Sequence, residues 1–315
     1  MFSGRLYKAV YDDRNLNEAW NKVRRNKGAC GVDEIQIVQF NKMVFANLLN
    51  LKDQLKKKTY QPEPIRRFGI RKWDGTRRQL GIMTVRDRVV QRAVLQVIGP
   101  LFDQHFTSAS FGYRKGLSAR HALERITRHF NMGFEWVLDA DILEFFPNID
   151  HRLLMKRVRK VLSDRDILRL LQKWLDIGLT GFRSGISVKG GPAKVGIVQG
   201  SPLSPLFANI YLDPFDRALL KKGYVLTRFG DDFIVQCRRK NEAESALNFV
   251  NKVLNKLKLQ LNANKTNVTH FDSGVRFLGN VVKSHHSSRG KLLQIRPLKM
   301  DLNKEKVRHV RTLSD

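Results

Sequence analysis

Cysteine is nearly missing. The 315-residue chain has two, Cys30 and Cys237, at no metal-ligand spacing. That excludes a disulfide scaffold and suits a reduced, intracellular protein, with a single disulfide still open. Long apolar runs are missing too. None reaches the roughly 18–20 residues of a membrane-spanning helix, and the N-terminus lacks the apolar core of a signal peptide. No membrane partner and a cytoplasmic location are therefore expected. Internal repeats and low-complexity linkers are absent. Acid is scarce: Asp plus Glu number 29 against 58 Lys plus Arg, for a formal net charge of +29. An excess of that size exceeds what solubility requires. It points to a polyanion, most simply nucleic acid, against the blander reading of a solvated basic surface. The length allows one large domain or two modest ones with a real core.

Two acidic stretches stand out. One is Arg228-Phe229-Gly230-Asp231-Asp232-Phe233-Ile234-Val235. Neighbours in a regular strand point to opposite faces, so this aspartate pair is best placed on a tight hairpin turn. There both carboxylates approach a common point, and like charges at close range need a cation between them. Oxygen-only ligands favour Mg²⁺ or Mn²⁺. Alone, such a pair is more often a solvated turn. Its company raises it: the flanks are apolar and strand-like, and a second acidic stretch lies upstream. That stretch is Trp136-Val137-Leu138-Asp139-Ala140-Asp141-Ile142-Leu143-Glu144-Phe145-Phe146, which reads as a buried strand ending at Asp141. Only the tertiary fold can bring Asp141 to Asp231 and Asp232. Together they would form a three-carboxylate site for two metal ions, the arrangement that drives in-line phosphoryl displacement.

The rest of the chain alternates in periodicity. Residues 14–26 carry helical spacing through Leu16, Ala19, Trp20 and Val23. A second helix is expected from about Ile37 to Lys57, with Phe40, Val44, Leu48, Leu51 and Leu55 on one face. Runs at 65–70 and 77–82 flank Asp74-Gly75 and predict a β-hairpin. It is densely cationic (Arg66, Arg67, Arg71, Lys72, Arg77, Arg78), which suits a triphosphate clamp and equally an ordinary exposed hairpin. Thr84 caps a helix through about Phe102. Ser110 to Gly116 is a basic aromatic loop, and Ser118 opens the next helix. Helices near 150–161 and 165–177 follow. The glycine-rich segment Gly190 to Gly200 leads into a helix that runs to about Leu220. A loop of that kind at a helix N-terminus admits an anion or a base pair, although most glycine loops are only turns. A helix over 241–258, Asn264-Lys265-Thr266, and strands at 268–271 and 275–282 come next. The basic tail after Pro297 reads as the start of a helix.

Taken together, and in order from about residue 14 to 300, these blocks resemble the reverse transcriptases of the bacterial group II intron lineage. Leu80-Gly81-Ile82 with Thr84 to Gln91 looks like that lineage's second conserved block, and Phe111 to Gly116 like the next. Asp141 to Phe146 resembles polymerase motif A, and Gln199-Gly200-Ser201-Pro202-Leu203-Ser204-Pro205 motif B. Phe229-Gly230-Asp231-Asp232 resembles motif C, Lys265-Thr266 motif D, and Phe277-Leu278-Gly279 motif E. Two departures are visible. Phe229-Gly230 replaces the common Tyr-Ala before the aspartate pair, and Pro147 stands where an aspartate is common.

The resemblance implies an α+β fold of the right-hand polymerase type, with an antiparallel palm sheet packed on helices. Residues 1–132 would be fingers and 133–296 palm, with a fingers-side insertion near 160–200. Residues 297–315 would begin a thumb that is essentially absent, as in a fragment of a longer chain or an enzyme relying on a partner. It also implies an RNA-directed DNA polymerase that uses two Mg²⁺ ions, with Mn²⁺ a possible substitute. Asp141 and Asp231 would bind both metals, Asp232 would complete the acidic cluster, and the Ile142 carbonyl would add an oxygen. Lys265 would protonate pyrophosphate. Lys72 and Arg78 would hold the incoming dNTP, and Gln199 would sit beside the nascent base pair. Phe146 falls at the steric-gate position that excludes a ribose 2′-OH, or is simply core. Arg66, Arg114, Gly200, Phe277 and Gly279 would line the template and primer path. Expected partners are an RNA template, a DNA or RNA primer and dNTPs. Group II intron RNA or a CRISPR integrase would supply the biological setting, the latter suggested by 268–279. The rivals are an idle RNA-binding maturase-like protein, a phage-defence subunit, a nucleotidyl cyclase and a DNA-templated polymerase. The three intact aspartates argue against the first, and the motif B block argues against a cyclase.

Overall fold

Four antiparallel strands carry the acidic residues. In the computed structural model, which describes residues 4–71, 77–180, 194–287 and 290–298, these strands are β3 (Trp136–Asp141), β4 (Val225–Phe229), β5 (Asp232–Cys237) and β6 (Asn267–His270). Their order in the sheet is β4-β5-β3-β6. Alternation along each strand sorts the side chains between two faces. Leu138, Ala140, Phe233, Val235, Cys237 and Leu226 face the main core. Two helices cover that face, α9 (Ser204–Lys221) and α10 (Lys240–Lys256). Val137 and Ile234 face a second, smaller core with Phe130, Phe271, Val275 and Phe277. Asp139, Asp141 and Asp232 share the parity of Val137 and Ile234. They therefore continue this second face past the end of its apolar patch.

The N-terminal part is helical: α1 (Arg5–Val10), α2 (Asp13–Arg25), α3 (Ile37–Lys42), α4 (Val44–Lys56), α5 (Val85–Asp103) and α6 (Ala119–Phe130). The Asp12 carboxylate caps α2 by accepting from Arg14 N–H, and Leu16, Ala19, Trp20 and Val23 are buried against α5. Thr84 caps α5 as expected: its hydroxyl accepts from Asp87 N–H at 3.1 Å. Between α4 and α5, β1 (Arg66–Arg71) and β2 (Arg77–Ile82) form the anticipated hairpin. α7 (His151–Val161) and α8 (Arg165–Thr180) lie between β3 and α9.

The structure corrects two expectations. The helix expected from Ile37 to Lys57 is two helices, broken at Met43 (φ −117°, ψ 28°). The Phe40 carbonyl accepts from the Met43 N–H and, at 3.1 Å, from the Asn47 side-chain amide, which ties the two helices together across the break. The break also seats Phe40 against Trp20, with ring centroids 4.8 Å apart. The strand expected over 275–282 is a hairpin, β7 (Val275–Phe277) and β8 (Asn280–Ser287), followed by β9 (Gly290–Pro297). Leu278 (φ 49°) and Gly279 (φ 73°) form its two-residue turn, and positive φ at both central positions gives the right-handed twist that a short hairpin needs. The tail read as a helix start lies, from residue 299, outside the described residues.

Candidate active site

Asp141 closes β3 and stands directly across from Asp232, the first residue of β5. Opposed residues on antiparallel strands place their Cβ atoms about 4.5–5.5 Å apart, so these two carboxylates share one patch. Asp231 occupies the β4–β5 turn with Gly230 (φ 72°). The backbone of 260–262 ties down the end of β3: Leu143 N–H donates to Gln260 O and Asn262 N–H to Asp141 O. That leads straight to Lys265, whose ammonium lies 3.2 Å from Asp141 Oδ2. Ile142 is buried and bridges to Leu261. The structure thus brings Asp141, Asp231, Asp232, Ile142 and Lys265 to one end of one sheet.

A fourth carboxylate joins them. Asp139 sits two residues before Asp141 on the same face. Burial, and then the Asp141 charge, push its carboxyl up to about 6. Asp232 is pushed up to about 7 by burial first and then by Asp139, Asp141 and Asp231, against a hydrogen bond donated by the Leu278 N–H. Asp139 had no assigned role in the sequence; the signal was its i, i+2 spacing from Asp141 in a strand. Four partly exposed carboxylates, two of them unfavourable when charged, form a donor set suited to a hard divalent cation, which would relieve the repulsion. Among the described residues, the three ligand atoms that converge within 4.8 Å are those of Glu135, His270 and Asp272 rather than those of the aspartates. That group already has a cation of its own: the Lys291 ammonium pairs with Glu135 and, at 3.0 Å, with Asp272.

Glycines let the loops close in. A Cβ on Gly112 would stand 2.4 Å from Gly230 N, so the 111–113 loop abuts the acidic turn. A Cβ on Gly200 (φ 110°) would stand 2.7 Å from Gly81 O, and Gly81 N–H donates to Gln199 O at 2.8 Å. Beside this contact lies a cleft of about 570 Å³ lined by Lys22, Arg88, Arg92, Tyr113, Phe146 and Gln199, among others. Phe146 is buried, and it borders both the cleft and the core. The Nε atoms of Arg88 and Arg92 find no acceptor among the described residues. Neither arginine was singled out by its local sequence, because each looks like a solvated helix position.

Other expected contacts are placed differently. Arg114, expected on the template and primer path, is turned toward the protein itself. Its guanidinium pairs with Asp103 at 2.7 Å and donates to the carbonyls of Thr107, Ser110 and Asp103, which occupies its donors internally. Phe277 is buried in the second core and offers no ring to a primer; the adjacent Leu278 and exposed Gly279 form the turn that reaches the acidic patch. Arg66 is exposed on β1, with one N–H donating to Cys30 Sγ at 3.5 Å. Arg78 lies in β2 opposite Ile70, and Lys72 lies outside the described residues.

Known proteins resemble this chain in sequence and in fold. The family model described as reverse transcriptase (RNA-dependent DNA polymerase) matches residues 70–282. Protein YkfC of Escherichia coli (strain K12) is 31% identical over 91% of this chain and 85% of that protein. The group II intron-encoded protein LtrA of Lactococcus lactis subsp. cremoris is 27% identical over 90% of this chain, which spans 57% of LtrA. In three dimensions, telomerase from Candida albicans aligns over 72% of this chain and 46% of its own, with a TM-score of 0.54 at 15% identity, a likeness of fold. With its acidic sheet end flanked by the expected blocks in order, the chain belongs to the reverse transcriptase family.

Proposed function

We propose that this protein extends a primer 3′-OH with dNTPs on an RNA template, and that Asp141 and Asp231 hold the divalent cations for the reaction, with Asp232 and the Ile142 carbonyl completing the oxygen set. Two Mg²⁺ ions, or Mn²⁺ in their place, would make the primer hydroxyl a better nucleophile and neutralise charge on the leaving pyrophosphate. The observation that carries this reading is the register of β3 and β5, which sets Asp141 against Asp232 beside the Asp231 turn. The remaining roles belong to the chain's own groups. Lys265 keeps its ammonium beside Asp141, within reach of a group that binds there, and is the candidate proton donor to pyrophosphate. Phe146 borders the nucleotide cleft as the ring that excludes a 2′-OH, Gln199 and Gly200 flank the new base pair, and Lys72 and Arg78 hold the triphosphate. Arg66 and Gly279 remain on the proposed template and primer path. Residues 1–132, 133–296 and 297–315 act as fingers, palm and thumb start.

The +29 charge supplies the sequence-independent grip on RNA template and primer. Likeness to LtrA favours group II intron RNA as the natural partner. A CRISPR integrase is the other setting, and a cytoplasmic location goes with both. The deciding experiment is primer extension on a defined RNA template with dNTPs and Mg²⁺, beside filter binding of the same RNA. Extension that disappears in Asp231→Asn supports the polymerase. Binding without extension by the wild-type chain would instead support an RNA-binding, maturase-like role.

A further inference from the structure

Arg228 has no place in the scheme above, although it is fully buried and lies three residues before Asp231. All five of its N–H donors are used. Nε and one Nη2 hydrogen go to the two carboxylate oxygens of Asp216 at 2.7 and 2.6 Å. The other Nη2 hydrogen goes to Ser110 Oγ at 2.9 Å. Nη1 donates to Asn209 Oδ1 at 3.0 Å and to the Gly230 carbonyl at 2.8 Å. The last of these bonds fixes a peptide of the acidic turn itself. Asn209 extends the set by donating to Gly112 O at 2.8 Å, and Gly112 is the glycine that abuts Gly230 N. One guanidinium therefore ties α9, the 110–112 loop and the Asp231 turn together.

The side chains of Arg228 and Asp216 are 0% and 1% exposed. A buried ion pair gives little net stability over apolar side chains of similar size, because desolvation of both charges offsets their attraction. What apolar residues cannot supply is a directed bond to the Gly230 carbonyl. We propose that Arg228 and Asp216 are positioning residues: Asp216 aims the guanidinium, and the guanidinium sets the Gly230 peptide and so the direction of the Asp231 carboxylate. The role rests on the reading of Asp231 as a metal ligand.

Two variants test it. The paired replacement Arg228→Met with Asp216→Leu removes both charges and leaves neither unpaired. Arg228→Lys keeps a charge opposite Asp216, but one ammonium cannot span both Asp216 oxygens and the Gly230 carbonyl. Mn²⁺ binding to the protein, followed by the electron paramagnetic resonance of free Mn²⁺, is measured with melting temperature and primer extension. Misplacing a catalytic group by a fraction of an ångström costs on the order of tenfold to hundredfold. Both variants are expected to fold, to bind Mn²⁺ about tenfold more weakly and to lose kcat about 10–100-fold while KM for dNTP stays within about twofold. A folded paired variant with wild-type Mn²⁺ affinity and kcat overturns the proposal. So does failure of both variants to fold, which would assign the pair to folding alone. Asp231→Asn separates the two ideas. If it binds Mn²⁺ as the wild type does, the ligand reading fails and this role falls with it. If it weakens binding while the paired variant does not, only the positioning role fails.

Discussion

The sheet carries an acidic group at each end of β3, and the two are treated in opposite ways. At the start of β3, Glu135, His270 and Asp272 surround the Lys291 ammonium. There the Ser284 hydroxyl, followed by Lys291 and His270, holds the Asp272 carboxyl down at about 2. At the other end of β3, Asp139 and Asp232 are pushed up to about 6 and about 7, and among the described residues the exposed Lys265 pairs with Asp141. The first is complete within the chain, whereas the second stores unfavourable charge that an incoming cation would relieve. That difference separates an acid cluster with a lysine shared between its carboxylates from one whose carboxylates press on each other.

The contrast can be broken most sharply at Asp231. Asn in its place should abolish extension, a loss of at least about a thousandfold in kcat where metal-borne charge stabilisation is removed, while filter binding of RNA stays within about twofold because phosphate contacts dominate it. The cleft should respond next. Phe146→Ala should lower discrimination against ribonucleotides by about 10–100-fold in single-nucleotide incorporation, the range that one steric contact provides. Unchanged discrimination would leave Phe146 a core residue only.

The third consequence concerns pH. Asp139 and Asp232 hold folded values above the ordinary 3.8, so they bind protons more tightly in the folded state. The stability they contribute is full below about pH 4 and is lost as pH rises through about 6 to 7. Added Mg²⁺ or Mn²⁺ should therefore raise the melting temperature more at pH 8 than at pH 5. Equal shifts at both would mean that the cation binds elsewhere. Asp272 runs the other way: its folded value lies below the ordinary 3.8, so its contribution is present above that value and lost as pH falls through about 2. It is half exposed, so its ion pair is screened. Lys291→Met should accordingly cost no more than about 1 kcal/mol in denaturant unfolding and leave primer extension unchanged.

The parts of the site carried by short spacing were readable from the chain. Asp141 at a strand end, Asp231 on a turn, the Thr84 cap and the close approach at Gly200 all announce themselves within a few residues. Positions whose meaning depends on what folds back onto them were not. Arg114 reads as a free cation until Asp103 and three carbonyls enclose it. Asp139 matters only because β5 places Asp232 on its face. Leu278 conceals the β7–β8 turn, since leucine seldom takes a positive φ and the hydrophobic run 275–282 reads as one strand. Met43 likewise lies inside a helical pattern, and only Phe40 packing on Trp20 explains the break.

β4 is the outer strand of its sheet, and an outer strand exposes unpaired backbone groups to any other chain. Here Ala109 and Phe111 cap that edge: Arg228 N–H donates to Ala109 O and Phe111 N–H to Arg228 O, both at 2.8 Å. The cap comes from 118 residues earlier in the chain. During synthesis the 109–111 segment must wait, unpaired, until β4 emerges, and so long a closure is slow to form. The acidic turn should then be among the last parts of the molecule to reach its final shape. A chain stopped before β4 would present β3 without any of its sheet partners together with an unpaired cap, a hazard for self-association during expression that the finished protein does not have.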